Sequence, residues 1–190
     1  MKVTTLFATG LLALASPSAA AELQVELDPE LTSIAFRLQA TMHSVHGSAA
    51  TASGSLRLST ESGVMAGEVT VDATTAETGN TKRDKKMHRK VLRTADHSRI
   101  VLRAQRLEGE LARHGTSDVT LYGEIEILGK SHEIAIPFQI QIEGERFTAK
   151  TEFEIPYVEW GLEDPSTFVL RVAKVVEVTV KAEGTILEAD

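Results

Sequence analysis

The sequence contains no cysteine. A chain without cysteine cannot form disulfides, so its stability must come from buried apolar surface and backbone hydrogen bonds. The absence also excludes thiol nucleophiles, thiolate-bound zinc and iron–sulfur clusters. Aromatic residues make up only 5% of the chain, so an apolar interior must be built mainly from aliphatic side chains.

Positively charged residues are also fewer than negatively charged ones. The chain has 20 Lys and Arg residues against 27 Asp and Glu residues, a formal net charge of −7. This acidic balance argues against nucleic acid as the main partner. After the first residues there is no apolar run of about eighteen residues, so the sequence predicts no transmembrane segment.

The first 21 residues have the pattern of a secretory signal peptide. Lys2 supplies the positive charge, residues 6–15 form an apolar run, and Pro17 and a group of small residues follow. The run is too short to span a bilayer. We therefore expect cleavage after Ala20 or Ala21 and a periplasmic or secreted product, with residues 22–190 forming a single domain.

Most of the remaining chain alternates between apolar and polar residues. In residues 33–40, Ile34, Phe36 and Leu38 fall on one face, and similar patterns recur up to residue 186. Alternation with a period of two predicts β-strands with one apolar face, here roughly eight to ten of them. Such a sheet must hide that face, and long strands joined by short hairpins favour an up-and-down barrel over a sandwich.

Two positions within these strands are unusual. Pro137 lies inside a strand, although proline cannot donate to the hydrogen-bonded ladder, so it predicts a bulge or an unpaired position. Gly123 in the middle of another strand predicts a bend or a close approach between backbones.

A single basic stretch, residues 80–93, interrupts the strands and is predicted to be helical. Asn80 is a plausible N-cap, and Met87 and Val91 are four residues apart and share an apolar face. Two interpretations remain open. The helix is either a solvated plug over one barrel end, or a lid whose positive charges meet an anionic head group or a membrane surface.

Recognisable catalytic and metal-binding patterns are absent from the sequence. There is no Gly-x-Ser-x-Gly elbow and no glycine-rich phosphate loop before a helix. His43 and His46 are three residues apart in a strand or turn, where they point to opposite faces and cannot readily share a metal. We therefore predict no catalytic residue, no metal site and no enzymatic activity.

Four stretches together resemble the YceI-like family of exported, lipocalin-like polyisoprenoid-binding proteins. They are an opening strand at 28–36, a helix entry at 78–87, a hairpin at 122–134 and a corner at 155–162. The hairpin contains Y-G-E-I-E-I-L-G-K, similar to the family's G-x-L-T-I-x-G. The corner reads I-P-Y-V-E-W-G-L, similar to I-x-R-x-D-F-G-L, with Tyr157 in place of the arginine.

The resemblance implies an all-β fold, an eight-stranded antiparallel lipocalin-like barrel with one short helix covering an end. It also implies a tunnel for a long apolar ligand of isoprenoid, isoprenoid-quinone or fatty acyl type, carried or sequestered in the periplasm without a further cofactor. Homodimers are possible. The alternative is a packed structural or interaction barrel with no bound lipid.

The residues expected to contact such a ligand combine the inward positions of the strands, the apolar face of the helix and the tryptophan of the corner. They are Ile34, Phe36, Leu38, Leu56, Leu58, Val69, Val71, Met87, Val91, Leu121, Ile125, Ile136, Phe138, Ile140, Phe153 and Trp160.

Overall fold

In the part of the chain that the structure describes, the alternating segments form nine strands, all of which pair in one antiparallel sheet. The structure, a computed structural model, describes residues 22–41, 43–168 and 170–188, so the predicted signal peptide lies outside the described residues. The elements are β1 (Glu22–Leu27), β2 (Ser33–Gln39), β3 (Ser44–Ser59), β4 (Met65–Glu77), α1 (Thr81–Lys86), β5 (Arg99–Glu108), β6 (Gly115–Ile127), β7 (Lys130–Glu143), β8 (Arg146–Ile155) and β9 (Val176–Glu188).

The nine strands make an eight-stranded closed barrel because β1 and β2 share one position in the ring. Both lie between β3 and β9: β1 pairs with the end of β3 and β2 with its beginning. From β3 to β9 each strand pairs with the next in the chain, which is the up-and-down order. The predicted lipocalin-like barrel is confirmed.

The alternation in sequence becomes an inside and an outside in the barrel. In β6, Leu121, Ile125 and Ile127 are buried, whereas Glu124 and Glu126 between them are only half-buried. Gly123 lies where two backbones approach closely, since a Cβ there would be 2.2 Å from the carbonyl oxygen of Arg103. The close approach predicted at this glycine is therefore confirmed.

The wall between β7 and β8 is only partly paired. The two strands pair from Gln139 to Glu143, and the first half of β7 has no β8 partner. Pro137 lies just before this paired region and aligns with Thr120 of β6 on its other side. Pro137 therefore has no partner in β8, in agreement with the unpaired position predicted from it.

The helical segment begins at α1 and continues as a π-helical turn, Met87–Val91. Asn80 is the N-cap as predicted, because its side-chain oxygen accepts hydrogen bonds of 3.1 Å from the backbone N–H groups of Lys82 and Arg83. Arg93 has a positive φ of 46°, and the helix has ended before it, slightly earlier than the sequence suggested.

The two barrel ends are closed differently. The end of the barrel away from α1, called the far end below, is packed by two clusters of buried side chains. Leu111 from the segment 109–114 packs against both of them. At the other end, called the helical end below, a smaller cluster centred on Ile127, Tyr157 and Leu162 packs against Val91 in the π-helical turn. The interior between the two ends contains the cavity described below.

Candidate functional site

The barrel encloses a cavity of about 580 Å³. Packed protein interiors have few voids larger than a water molecule, whereas small-molecule sites commonly measure about 300–1,000 Å³. The interior is therefore hollow, which excludes the solidly packed barrel considered from sequence. Every strand contributes side chains to the cavity wall.

Nearly all of the residues selected from sequence line this cavity. They come from β2, β3, β4, β6, β7 and β8 and from the π-helical turn, because inward positions recur at every second residue along a strand. They are Ile34, Phe36, Leu38, Leu56, Leu58, Val69, Val71, Met87, Val91, Leu121, Ile125, Ile136, Phe138, Ile140 and Phe153.

Trp160 is the exception, since it does not line this cavity. The chain turns tightly after β8, with the N–H of Leu162 donating to the carbonyl oxygen of Tyr157 at 3.0 Å. This turn directs Tyr157 and Leu162 into the cavity wall, while the indole of Trp160 stacks on His132. A strand-like alternation could not place these side chains because the segment is a turn.

The sequence analysis missed several parts of the wall. The valines of β9 alternate clearly and could have been found by the same pattern. Alanines were overlooked because they contribute little to an apolar pattern, yet they leave the space that larger side chains would fill. These additional lining residues include Ala49, Ala73, Ala76, Ala149, Val176, Val178, Val180 and Ala182.

The helical end of the cavity is lined by charged as well as apolar side chains. Arg83 and Lys86 line the cavity there, together with Met87. The guanidinium of Arg83 donates to the hydroxyl and the carbonyl oxygen of Thr78, at 2.7 and 2.9 Å. The ammonium of Lys86 donates to the carbonyl oxygen of Pro165 at 3.0 Å. These bonds tether α1 to Thr78, which directly follows β4, and to Pro165.

Tyr157 supplies another polar group at this end, and it is also held by a hydrogen bond. Its hydroxyl donates to the carbonyl oxygen of Ala173 at 2.8 Å. Burial, with a smaller contribution from the negative charge of Asp164, raises the pKa of Tyr157 to about 12. The phenol is therefore neutral at physiological pH and acts as a hydrogen-bond donor.

The two histidines noted in the sequence do not come together. Both are exposed; His43 also borders the cavity, whereas His46 aligns with Arg37 in the β2–β3 pairing. Within the described residues, no group of three or more His, Asp or Glu side chains is arranged to hold a metal ion. No carboxylate lines the cavity in the described part of the chain.

No helix among residues 22–41, 43–168 and 170–188 is long and apolar enough to cross a membrane.

Solved structures with the same fold extend over most of this chain. A polyisoprenoid binding domain from Saccharophagus degradans has a TM-score of 0.68 at 16% identity, covering 85% of this chain and 97% of that one. BcnA from Burkholderia cenocepacia has a TM-score of 0.61 at 12% identity, with 84% and 99% covered. The YCEI protein of Campylobacter jejuni has a TM-score of 0.55 at 12% identity, with 97% and 98% covered.

No curated protein matches the chain. The sequence pattern of the YceI-like domain matches residues 26–184, which include nearly the whole barrel from β1 to β9. The hollow barrel, its helix and this match agree, and the chain belongs to the YceI-like family.

Proposed function

We propose that this protein binds a long-chain apolar ligand, of isoprenoid, isoprenoid-quinone or fatty acyl type, inside the barrel. The observation that carries the proposal is the cavity of about 580 Å³ inside the barrel, whose walls are mainly aliphatic. Burial contributes about 0.8 kcal/mol per methylene, so a chain of modest length gains substantial affinity without polar contacts. Branched aliphatic walls also adapt to flexible chains.

The solved relatives support the isoprenoid class in particular. The Saccharophagus degradans domain is described as polyisoprenoid binding, and its likeness to this chain extends over most of both molecules. At 16% identity this likeness establishes a shared barrel, and the cavity of this chain adds the space that such a ligand requires.

The helical end is the proposed entrance. The far end is closed by two packed apolar clusters, whereas the helical end is closed by a smaller cluster and by short elements joined through individual hydrogen bonds. The bonds of Arg83 and Lys86, together with the hydrogen bond from Thr78 to Asp84, would have to break before α1 could leave the barrel mouth. We therefore assign α1 and the π-helical turn the role of a lid rather than of a permanent plug.

The proposed role is transport or sequestration of the lipid in the periplasm or another exported compartment, without catalysis. The support for export is the signal-peptide pattern of residues 1–21. The support for binding without catalysis is a cavity wall in which the described residues include no carboxylate. A homodimer stays a prediction, which size-exclusion chromatography with light scattering tests.

Native mass spectrometry of the purified protein, followed by solvent extraction, tests the proposal. We expect a bound species with the mass of a long-chain lipid and recovery of that lipid in the organic phase. Protein that carries no lipid and also fails to bind added geranylgeraniol would contradict the proposal. Expression with and without residues 1–21, followed by cell fractionation, tests export separately.

A further inference from the structure

One aromatic side chain at the helical end is almost entirely exposed to solvent. Phe168 is 95% exposed, whereas Val64, the next most exposed of the large apolar side chains in the described part of the chain, is 56% exposed. A single exposed apolar residue is common on protein surfaces and indicates nothing by itself. The position of Phe168 and the charge around that position give it a meaning.

Phe168 lies in a turn next to the cavity. The backbone N–H of Thr167 donates to the carbonyl oxygen of Leu170 at 2.8 Å, and the N–H of Leu170 donates to the hydroxyl of Thr167 at 3.1 Å. Thr167 and Leu170 line the cavity, whereas Phe168 does not. Pro165, which accepts the hydrogen bond from Lys86 of α1, is three residues away, so its Cα lies within about 11 Å of that of Phe168. The phenyl ring is therefore exposed at the helical end, near α1.

The helical end is positively charged in an otherwise acidic chain. The segments that connect strands at this end are residues 40–43, 78–98, 128–129 and 156–175. Together they contain nine Lys and Arg residues against five Asp and Glu residues, a formal charge of +4 in a chain with a net charge of −7. At the far end, the connecting segments 60–64, 109–114 and 144–145 contain one Arg and three Glu residues. The barrel is therefore polarised along its length.

Much of the positive charge on the helical segment is exposed and unpaired. Lys82, Lys85 and Arg89 follow one another at spacings of three and four residues, so they share one face of the segment. All three are exposed, and none forms an ion pair with a carboxylate of the described residues. Lys90 is different, because its ammonium lies 3.5 Å from a carboxylate oxygen of Glu163. An anionic surface would therefore meet uncompensated cations at the same end of the barrel as Phe168.

We propose that the helical end docks on an anionic lipid bilayer through Phe168, Lys82, Lys85 and Arg89, which we call the docking face. The phenyl ring would enter the boundary of the acyl chains while the cations meet the lipid head groups, as in other segments that lie on membranes. A docked barrel would bring its lid to the membrane from which it takes its lipid. The inference rests on the proposed function, since only a lipid carrier needs this orientation.

A bilayer fits the docking face better than an acidic protein does. Both would be attracted by the three exposed cations. A protein partner would need a pocket shaped for the phenyl ring of Phe168, whereas fluid acyl chains accept the ring without one. The two partners therefore differ in how much Phe168 contributes to binding.

Co-sedimentation of the whole protein with lipid vesicles tests the proposal. We expect vesicles with about one-third phosphatidylglycerol to bind at least about tenfold more strongly than vesicles of phosphatidylcholine alone. Most of this binding should be lost in about 0.5 M NaCl, which screens exposed charges. Phe168→Ser and Lys85→Glu/Arg89→Glu should each weaken binding to the anionic vesicles at least about tenfold. Both variants should retain binding of N-phenylnaphthylamine, because none of these residues lines the cavity.

Matched control variants are available at the far end. Val64→Ser removes an exposed apolar side chain from the segment 60–64. Arg57→Glu/Arg146→Glu changes the charge of the protein by the same amount as the docking-face variant, at exposed positions near that end. Both controls should bind anionic vesicles nearly as the unmodified protein does. If they lose as much binding as the docking-face variants, the helical end is not the docking surface and the inference is wrong.

Tryptophan fluorescence tests insertion of the ring directly. Trp160 is the single tryptophan of the chain, so the variant Phe168→Trp/Trp160→Phe reports on position 168 alone. Its emission should shift to shorter wavelength when anionic vesicles are added, because the indole leaves water. If the emission does not shift, and Phe168→Ser binds the vesicles as the unmodified protein does, the basic face attracts polyanions in general and the inference is wrong.

The outcomes separate the inference from the proposed function. Protein that binds geranylgeraniol in solution but no anionic vesicles would overturn the docking face and leave the proposed function standing. Protein that docks on vesicles through Phe168 but binds no lipid in its cavity would support the docking face and overturn the proposed function.

Discussion

The imidazole of His132 and the indole of Trp160 stack face to face, with ring centroids 4.4 Å apart and planes 4° from parallel. This contact joins the turn after β8 to the first half of β7, where β7 has no β8 partner. The single tryptophan of the chain therefore closes the barrel wall instead of lining the cavity.

Replacing Trp160 should weaken the fold without changing the ligand site. Trp160→Ala removes the stacked ring and should lower the free energy of unfolding by about 1–3 kcal/mol. Lipid affinity in the folded fraction should stay at the level of the unmodified protein. Urea unfolding and probe displacement measure the two quantities. Trp160→Phe keeps a stacked ring and is the control, and a folded Trp160→Ala protein that has lost lipid binding would show that the indole contacts the ligand.

Adjacent residues in β7 provide a test of the inward and outward faces. Phe138 lines the cavity, and Phe138→Asp would place an unpaired charge among apolar side chains, so we expect loss of lipid binding or of folding. Gln139 is exposed between Asp118 and Lys150 of the neighbouring strands, so Gln139→Asp should be nearly silent. Circular dichroism and probe displacement check both variants. If both variants lost binding or folding to the same extent, the assignment of Phe138 to the inner face and Gln139 to the outer face would be wrong.

Filling the cavity should block the ligand while leaving the fold intact. Ala49 lines the cavity, and Ala49→Phe directs a large apolar side chain into empty space. We expect lipid affinity to fall at least tenfold, whereas thermal stability should hold or increase because the new side chain is buried. Ala50→Phe, on the exposed face, is the matched control. Unchanged binding by a folded Ala49→Phe protein would argue against this cavity as the ligand site.

Removing the helix cap tests the lid. Asn80→Ala deletes the oxygen that accepts from Lys82 and Arg83, which should destabilise α1 by about 1 kcal/mol. If α1 must move before the lipid leaves, the release rate measured by stopped-flow fluorescence should rise about fivefold. Asn80→Asp keeps the cap and should release lipid at the original rate. Identical rates in the alanine variant would contradict an entrance at the helical end.

The raised pKa of Tyr157 predicts that the protein loses stability at alkaline pH. Its pKa is raised from 10.0 to about 12, chiefly by burial, so the folded protein keeps a proton that the unfolded chain has already lost in this range. The free energy of unfolding should be unaffected by this group below pH 10 and should fall as the pH rises from about 10 to about 12. Tyr157→Phe should remove that fall, although it also loses the hydrogen bond to Ala173.

Urea unfolding at stepwise pH measures this dependence. Tyr122 is the other tyrosine of the chain, and Tyr122→Phe should retain most of the alkaline loss because its side chain is solvent-accessible and screened. If the alkaline loss of stability persists in Tyr157→Phe, other titrating groups cause it.

The local sequence pattern was sufficient to predict much of the barrel. Ile34, Phe36 and Leu38 could be placed on the inner face from sequence, because successive side chains of any strand point to opposite sides. Asn80 could be identified as a cap for a similarly local reason, since the bonds it accepts come from the next helical turn. These features involve only neighbours in the chain.

The tertiary structure decided the features that depend on distant residues. Whether the barrel is hollow follows from strand number and tilt and from small residues such as Ala73 on facing walls, none of which an alternating pattern encodes. The orientation of Trp160 was set by the turn after β8. Sequence determined which side chains face inward; enclosure of the interior determined what those side chains can bind.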